Sequence, residues 1–93
     1  MKAVIDGKLY DTEIAELLFS FDDRIKTSIF FGNIYVKRKN NVCITKNGNL
    51  FCHWEAEDCQ GIDVTTKEKL RDSGKLVYFS EVYARLFGEP GEG

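Results

Sequence analysis

Short apolar stretches separated by turn dipeptides between Ser28 and Glu55 constrain this 93-residue chain more than any other feature. Glycine and asparagine reach the positive φ angles that tight hairpin turns require, so three dipeptides mark candidate turns: Gly32-Asn33, Asn40-Asn41 and Asn47-Gly48. The stretches between them predict a four-stranded antiparallel meander with strands Ser28–Phe31, Ile34–Lys37, Val42–Lys46 and Asn49–Glu55. The turn at Asn40-Asn41 can have two or four residues.

The residues before the meander predict a hairpin and a helix. Ala3–Ile5 and Lys8–Tyr10 flank Asp6-Gly7, a dipeptide typical of a two-residue hairpin turn. Asp11 then has the character of a helix N-cap, and the apolar residues that follow it have the three- and four-residue spacing of one helical face: Ile14, Leu17, Leu18 and Phe21. We expect this amphipathic helix to end at Asp22-Asp23 and to pack on the meander.

The residues after the meander predict two helices. A polar connection follows Trp54, and Thr65-Thr-Lys-Glu68 then fits a capping box, which favours a short helix anchored by Leu70 and stopped at Gly74. Apolar residues at helical spacing predict a last helix from Val77 or Ser80 to Phe87, with Gly88 and Pro90 ending it: Phe79, Val82, Tyr83 and Leu86. The prediction is a single α+β domain over residues 1–93, frayed at 91–93, with an N-terminal hairpin, one helix, a four-stranded antiparallel meander and two C-terminal helices.

Two-residue turns would assign the meander residues to two faces, because directly opposite residues of a hairpin share a face. This register pairs Cys43 with Cys52 and Ile29 with Val36. The predicted core face carries Ile29, Phe31, Ile34, Val36, Cys43, Thr45, Leu50, Cys52 and Trp54. The second face mixes aromatic and aliphatic residues with lysines, and it carries Ser28, Phe30, Tyr35, Lys37, Val42, Ile44, Lys46, Phe51 and His53.

Residue types that bind zinc do occur, as Cys43, Cys52, His53 and Cys59. Their spacing lacks the usual C-x2-C pair, and the adjacent Cys52 and His53 point to opposite faces of a strand. We therefore expect buried cysteines. The acids after Trp54 lack the pattern of a calcium loop and predict a solvated turn. Without a serine nucleophile elbow or a phosphate-binding glycine loop, the chain is expected to have no enzymatic activity, no metal and no cofactor.

Charge is strongly segregated along the chain. Residues 24–54 contain six basic and no acidic residues, whereas the whole chain has a formal net charge of −2, so the flanks are acidic. Aromatic residues among cations suit single-stranded nucleic acid or RNA. The predicted partner-binding residues are Phe30, Tyr35, Lys37, Arg38, Lys39, Lys46 and Phe51. Alternatively, the C-terminal helix covers the aromatic stripe, and the Lys37-Arg38-Lys39 turn with Lys46 remains as a basic rim for phosphate or an acidic protein.

The location expected from the sequence is cytoplasmic. Charged and turn residues occur within the first eight positions, which leaves no apolar region typical of a signal peptide, and no apolar run is long enough to cross a bilayer. Three cysteines, an odd number, suit a reducing compartment.

The two ends of the chain resemble a group of small proteins from phages and mobile elements of Gram-positive bacteria. The resemblance is carried by Lys8-Leu-Tyr-Asp-Thr-Glu-Ile-Ala15 and by the Y-x-x-L-F-G ending at Tyr83, Leu86, Phe87 and Gly88. It implies a small protein that binds host defence machinery, as anti-CRISPR inhibitors do, and it transfers no functional residue. The expected function is a non-enzymatic inhibitor that binds a host nucleoprotein effector, with direct nucleic-acid binding through the basic and aromatic sheet face as the alternative.

Overall fold

The computed structural model describes residues 1–28, 32 and 34–93, with the backbone alone at 27 and 28. These residues form six strands and two short helices: β1 (Lys2–Ile5), β2 (Lys8–Asp11), β3 (Glu16–Ser28), β4 (Ile34–Ile44), β5 (Leu50–Glu55), β6 (Gln60–Thr65), α1 (Lys67–Asp72) and α2 (Ser80–Phe87). Strands β1 and β2 form a two-stranded sheet, and β3 to β6 form a four-stranded antiparallel sheet in sequence order. The chain is therefore a small β-rich domain.

The predicted α+β architecture with a helix between hairpin and meander is wrong, because the chain from Glu16 onward belongs to β3. The cap signal at Asp11 produces only one turn: its Oδ1 accepts from the Glu13 N–H at 3.0 Å, and its carbonyl accepts from the Ala15 N–H at 3.0 Å. A capping residue lowers the cost of starting a helix but does not extend it. The following residues instead pair with β4.

A β-bulge explains why β3 looks helical in the sequence. The register shifts between Leu17, which pairs with Cys43, and Phe19, which pairs with Val42. The extra residue, Leu18, packs against the same core as Phe19. Two adjacent apolar residues interrupt strict alternation, so the pattern matches the helical spacing as well as a strand.

The prediction of a turn at Asn40-Asn41 is also wrong, since both residues lie inside β4. The sheet satisfies both amide side chains. Asn40 is 3% exposed and accepts from the Cys52 thiol. Asn41 accepts from the Ser20 hydroxyl at 2.9 Å and donates to the His53 carbonyl at 3.2 Å. A buried asparagine is tolerated in a strand when its polar atoms find such partners.

The Asn47-Gly48 turn is real, but its loop is longer than predicted. Ile44 pairs with Leu50, the Thr45 N–H donates to the Asn49 carbonyl at 2.9 Å to close a loop of residues 46–48, and Gly48 has a φ of 85°. This is the geometry of a three-residue loop that ends on a left-handed glycine. The longer loop shifts the register by one residue, so Cys43 pairs with Phe51 rather than with Cys52. Such a shift moves side chains to the opposite face, which overturns the predicted face assignment.

Other predictions fare differently. The predicted turn at Gly32-Asn33 includes Asn33, which lies outside the described residues. The predicted pairing of Val36 with Ile29 is wrong, because Val36 pairs with Ile25. Strand β6 occupies the segment predicted as a polar connection. The N-terminal hairpin is confirmed, with Ile5 opposite Lys8.

Both C-terminal helices are present near the predicted positions. Thr66, rather than Thr65, caps α1 through its hydroxyl, which accepts from the Lys69 N–H at 3.2 Å. The predicted anchor Leu70 is buried. Helix α2 begins at Ser80 and ends at Phe87, where Gly88 follows with a φ of 89°.

The four-stranded sheet is covered on both faces near its centre. On one face, Phe19, Val42 and Leu50 pack with residues from the C-terminal region, Leu70, Leu76, Phe79, Val82, Tyr83, Leu86 and Phe87. On the other face, Tyr10 of the N-terminal hairpin covers Cys43 and Phe51. We call these the helix-side core and the hairpin-side core.

Candidate functional site

The β3–β4 hairpin extends beyond the rest of the sheet. Among the described residues, β5 pairs with β4 only from Lys39 to Ile44, whereas β3 pairs with β4 as far as Ser28 and Ile34. The remaining part is a two-stranded ribbon, which we call the arm (residues 24–28 and 34–38). Neither core cluster includes any of the arm side chains that the structure describes.

One face of the arm and its base carries four cations and an aromatic ring. Lys37 lies opposite Arg24, Tyr35 lies opposite Lys26, and Lys39 lies opposite Asp22. Alternate residues of a strand share a face, and we call this surface the basic face after five of its residues, Arg24, Lys26, Tyr35, Lys37 and Lys39, with Asp22 on the same face at the base. All five residues are exposed, and Tyr35 retains 54% of its accessible surface.

The cations of the basic face are only partly neutralised. Lys37 Nζ lies 3.3 Å from Asp22 Oδ2, with 74% of the lysine side chain exposed. Arg24, Lys26 and Lys39 form no ion pair with any described residue. Arg24 and Lys37 are directly opposite each other, a placement of like charges that destabilises a strand pair. An anion bound between them would relieve this repulsion.

Arg38 faces the other side of the arm and is held by the protein itself. Its guanidinium donates to both carboxylate oxygens of Asp23, at 2.9 and 2.7 Å, and lies 5.7 Å from the centroid of the Trp54 ring. These hydrogen bonds lower the pKa of Asp23 and raise the pKa of Arg38. A bidentate pair stacked on an aromatic ring orients the strand and leaves Arg38 little freedom to bind a partner.

The predicted partner-binding residues are therefore not brought together as one surface. Tyr35, Lys37 and Lys39 share the basic face, with Arg38 on the opposite side. Phe51 has no exposed surface, because the N-terminal hairpin covers it. The sequence predicted, as the alternative, that the C-terminal helix would be the element covering the aromatic stripe, and at Phe51 it is the hairpin instead. Lys46 lies in the β4–β5 loop, and Phe30 lies outside the described residues.

The sequence did not predict Arg24 and Lys26 as site residues. The predicted helix ends at Asp22-Asp23, so these two residues fall in the connection between that helix and the meander. The signal that could have found them is the alternation of charged and apolar residues in Arg24-Ile25-Lys26, which is typical of an exposed strand. Ile25 is half-buried between two exposed cations and pairs with Val36.

The cysteines and the histidine do not form a shared site. Cys43 is buried, Cys52 is half-buried on the opposite face of the sheet, and Cys59 is exposed in the β5–β6 loop. His53 Nε2 lies 2.8 Å from Gln60 Oε1. Burial raises the pKa of the Cys43 and Cys52 thiols. Within the part of the chain that the structure describes, His, Cys, Asp and Glu residues form no group of three placed to hold a metal ion.

Comparison with known proteins adds no relative. No family model matches the chain, and no curated protein or solved structure matches it significantly. Among the described residues, neither helix has the length and apolar character needed to span a membrane.

Proposed function

We propose that this protein is a non-enzymatic binding protein that holds the phosphate backbone of a nucleic acid along the basic face of its arm. The observation that supports it most directly is the cross-strand placement of Arg24 opposite Lys37, beside Lys26 and Lys39, for which no described residue is an ion-pair partner. Repulsion between the two cations has a cost in the free protein. A phosphate bound between the two cations would remove this repulsion, and the energy released would contribute to binding.

The shape of the arm also suits this role. A two-stranded ribbon fits the major groove of duplex DNA, and it can equally lie along a single strand. Tyr35, opposite Lys26, offers an exposed ring on which a base of a single strand can stack. Single-stranded nucleic acid would use both the ring and the cations, so we expect it to bind more tightly than duplex of the same length.

Fluorescence anisotropy with labelled single-stranded and duplex oligonucleotides, measured from 50 to 200 mM salt, tests the proposal. If all four cations contact phosphates, the logarithm of the affinity should fall with the logarithm of salt concentration with a slope of about −3 for single strands and about −3.6 for duplex.

A pair of matched charge variants sharpens the test. Arg24→Gln combined with Lys26→Gln removes two cations of the basic face and should reduce the slope by about 1.4 for single strands. Lys2→Gln combined with Lys69→Gln removes two exposed cations outside the arm and should leave the slope unchanged. Equal losses in both variants, or no saturable binding at 50 mM salt, would contradict the proposal.

The inhibitor of a host nucleoprotein effector that the phage resemblance implies is the second candidate, and a cytoplasmic location belongs to the same proposal. The exposed arm supports it, since a ribbon only two strands wide can reach nucleic acid held inside a larger complex. Affinity purification from host lysate with and without nuclease separates the two candidates. A nucleoprotein retained after nuclease treatment supports inhibition through protein contacts, and retention of nucleic acid alone supports direct binding.

A further inference from the structure

A groove of about 500 Å³ lies between the N-terminal hairpin and the β4–β5 loop. It is far from the basic face: the seven residue-to-residue steps from Lys37 to Ile44 span about 23 Å of strand at roughly 3.3 Å per step. The groove has the volume of a small-molecule site, which is typically about 300–1,000 Å³. It is therefore separate from the surface assigned to nucleic acid above.

The apolar part of the lining comes from residues that the fold leaves uncovered. Leu9 is 52% exposed and Ile14 is 75% exposed, and both line the groove. Ile14 follows β2 in a turn held by the Asp11 carbonyl, which accepts from the Ile14 and Ala15 N–H groups at 3.3 and 3.0 Å. These hydrogen bonds fix the backbone that carries the exposed isoleucine, so the apolar surface is preorganised rather than part of a loose loop.

The charged part of the lining is mainly positive. Lys8 comes from β2 and Lys46 from the β4–β5 loop, and neither forms an ion pair with a described residue. Asp11 also lines the groove, but it is 6% exposed and its Oδ1 accepts the Glu13 N–H. The two exposed ammonium groups thus outweigh the one buried carboxylate as groups available to a ligand.

We propose that this groove binds a small organic anion with an apolar body, such as an aromatic carboxylate or sulfonate. The body covers Leu9 and Ile14, and the anionic group lies between Lys8 and Lys46. Burial of this exposed apolar surface supplies the main driving force, and the two lysines select a negative charge. Lys46, one of the predicted partner-binding residues, thereby contributes to a different site from Lys37 and Lys39.

Two dyes of almost the same shape test the proposal. 8-Anilino-1-naphthalenesulfonate carries a sulfonate, whereas N-phenyl-1-naphthylamine has the same aromatic body without it. We expect saturable 1:1 binding of the sulfonate dye to the folded protein, with amide chemical-shift changes centred on Leu9, Ile14 and Lys46. The uncharged dye should bind more weakly.

Variants separate the two contributions. Lys8→Gln combined with Lys46→Gln should weaken the sulfonate dye about fivefold, the scale of two exposed ion pairs, and leave the uncharged dye nearly unchanged. Ile14→Gln, at an exposed position that the fold tolerates, should weaken both dyes. Lys2→Gln combined with Lys69→Gln should affect neither.

Three outcomes would overturn the proposal: no saturable binding of the sulfonate dye, chemical-shift changes elsewhere on the protein, or equal losses in the two lysine pairs. None of them bears on the arm, because the nucleic-acid measurements use different residues.

Discussion

At the scale of single residues, Gly61 leaves room for the Trp54 ring, on which Arg38 of the arm is stacked. A Cβ atom on Gly61 would lie 2.6 Å from two carbon atoms of the Trp54 indole and 2.7 Å from its Nε1. The indole in turn lies beneath the Arg38 guanidinium, which is bound to Asp23. Gly61, Trp54 and Arg38 therefore form a stack across three neighbouring strands, β6, β5 and β4.

Gly61→Ala is expected to destabilise the protein by about 1–3 kcal/mol, the cost of forcing a methyl group into a filled space. The rigid ring must shift, and Arg38 then loses its aromatic neighbour. Urea unfolding followed by fluorescence measures this directly, since Trp54 is the single tryptophan of the chain. Gly91→Ala, with no atom within 4 Å of the added methyl group, is the matched control. Equal unfolding midpoints in both variants would refute the steric argument.

Residue patterns predicted some parts of the candidate site and not others, for definable reasons. Tyr35 and Lys37 share a face as predicted, because alternation along a strand is a property of the backbone that sequence parity captures. Lys39 joins them only because β4 continues through the predicted turn. Phe51 does lie on the same side of the sheet, since it pairs with Cys43, but the N-terminal hairpin covers it, and no local pattern reveals that distant contact. The additional residue in the β4–β5 loop instead separates Cys52 from Cys43, because it shifts the register by one residue.

At the scale of elements, local signals were reliable where local interactions decide the structure. Asp6-Gly7 makes its turn with φ angles of 51° and 75°, and Gly88 ends α2. The same kind of signal failed for β3. Its helical pattern competes with pairing along β4, which adds the Asp22–Lys37 and Asp23–Arg38 ion pairs. Those partners are about fifteen residues apart in the chain, so no local window reveals them.

The N-terminal hairpin acts as a cover for one thiol. The Tyr10 ring is 3% exposed and meets Phe51 edge to face, with 5.4 Å between ring centroids, in the cluster that encloses Cys43. Alkylation of Cys43 therefore requires the hairpin to open or the domain to unfold. Burial also raises the pKa of this thiol, which reduces the reactive thiolate population further.

Tyr10→Leu should accelerate alkylation of Cys43 by iodoacetamide about tenfold, because loss of the aromatic contact weakens the cover by about 0.5–1.5 kcal/mol beyond the lost area. Tryptic digestion places Cys43 on a peptide separate from Cys52 and Cys59, so mass spectrometry can follow each peptide. Tyr78→Leu, at a ring that is 94% exposed, serves as the control. If Cys43 reacts at the same rate in both variants, the hairpin does not protect it.

At the scale of the whole molecule, the residues that form the two cores and the residues proposed to bind nucleic acid lie in different parts of the fold. Both cores lie where β3, β4 and β5 run side by side, and the arm extends away from them. The charge segregation of the sequence becomes a spatial arrangement, with cations on the basic face of the arm and acids such as Glu57 and Asp58 exposed in the β5–β6 loop. Sequence alone predicted the segregation but not the arm, because the arm exists only through the mismatch in strand lengths.

Shortening the arm tests this separation. Ile25 and Val36 are directly opposite each other, so an Asn-Gly turn placed between them would close the ribbon while deleting residues 26–35. We expect the free energy of unfolding to change by no more than about 1 kcal/mol, since none of the buried core residues that the structure describes is removed. Affinity for single-stranded nucleic acid should fall about tenfold or more, through loss of the Tyr35 ring and Lys26. Full-length protein with Lys26→Gln and Tyr35→Ala should lose a similar amount. If the shortened variant is unfolded, the arm is required for folding and the proposed separation is wrong. If the shortened variant binds nucleic acid as tightly as the intact chain, the binding site is not on the arm.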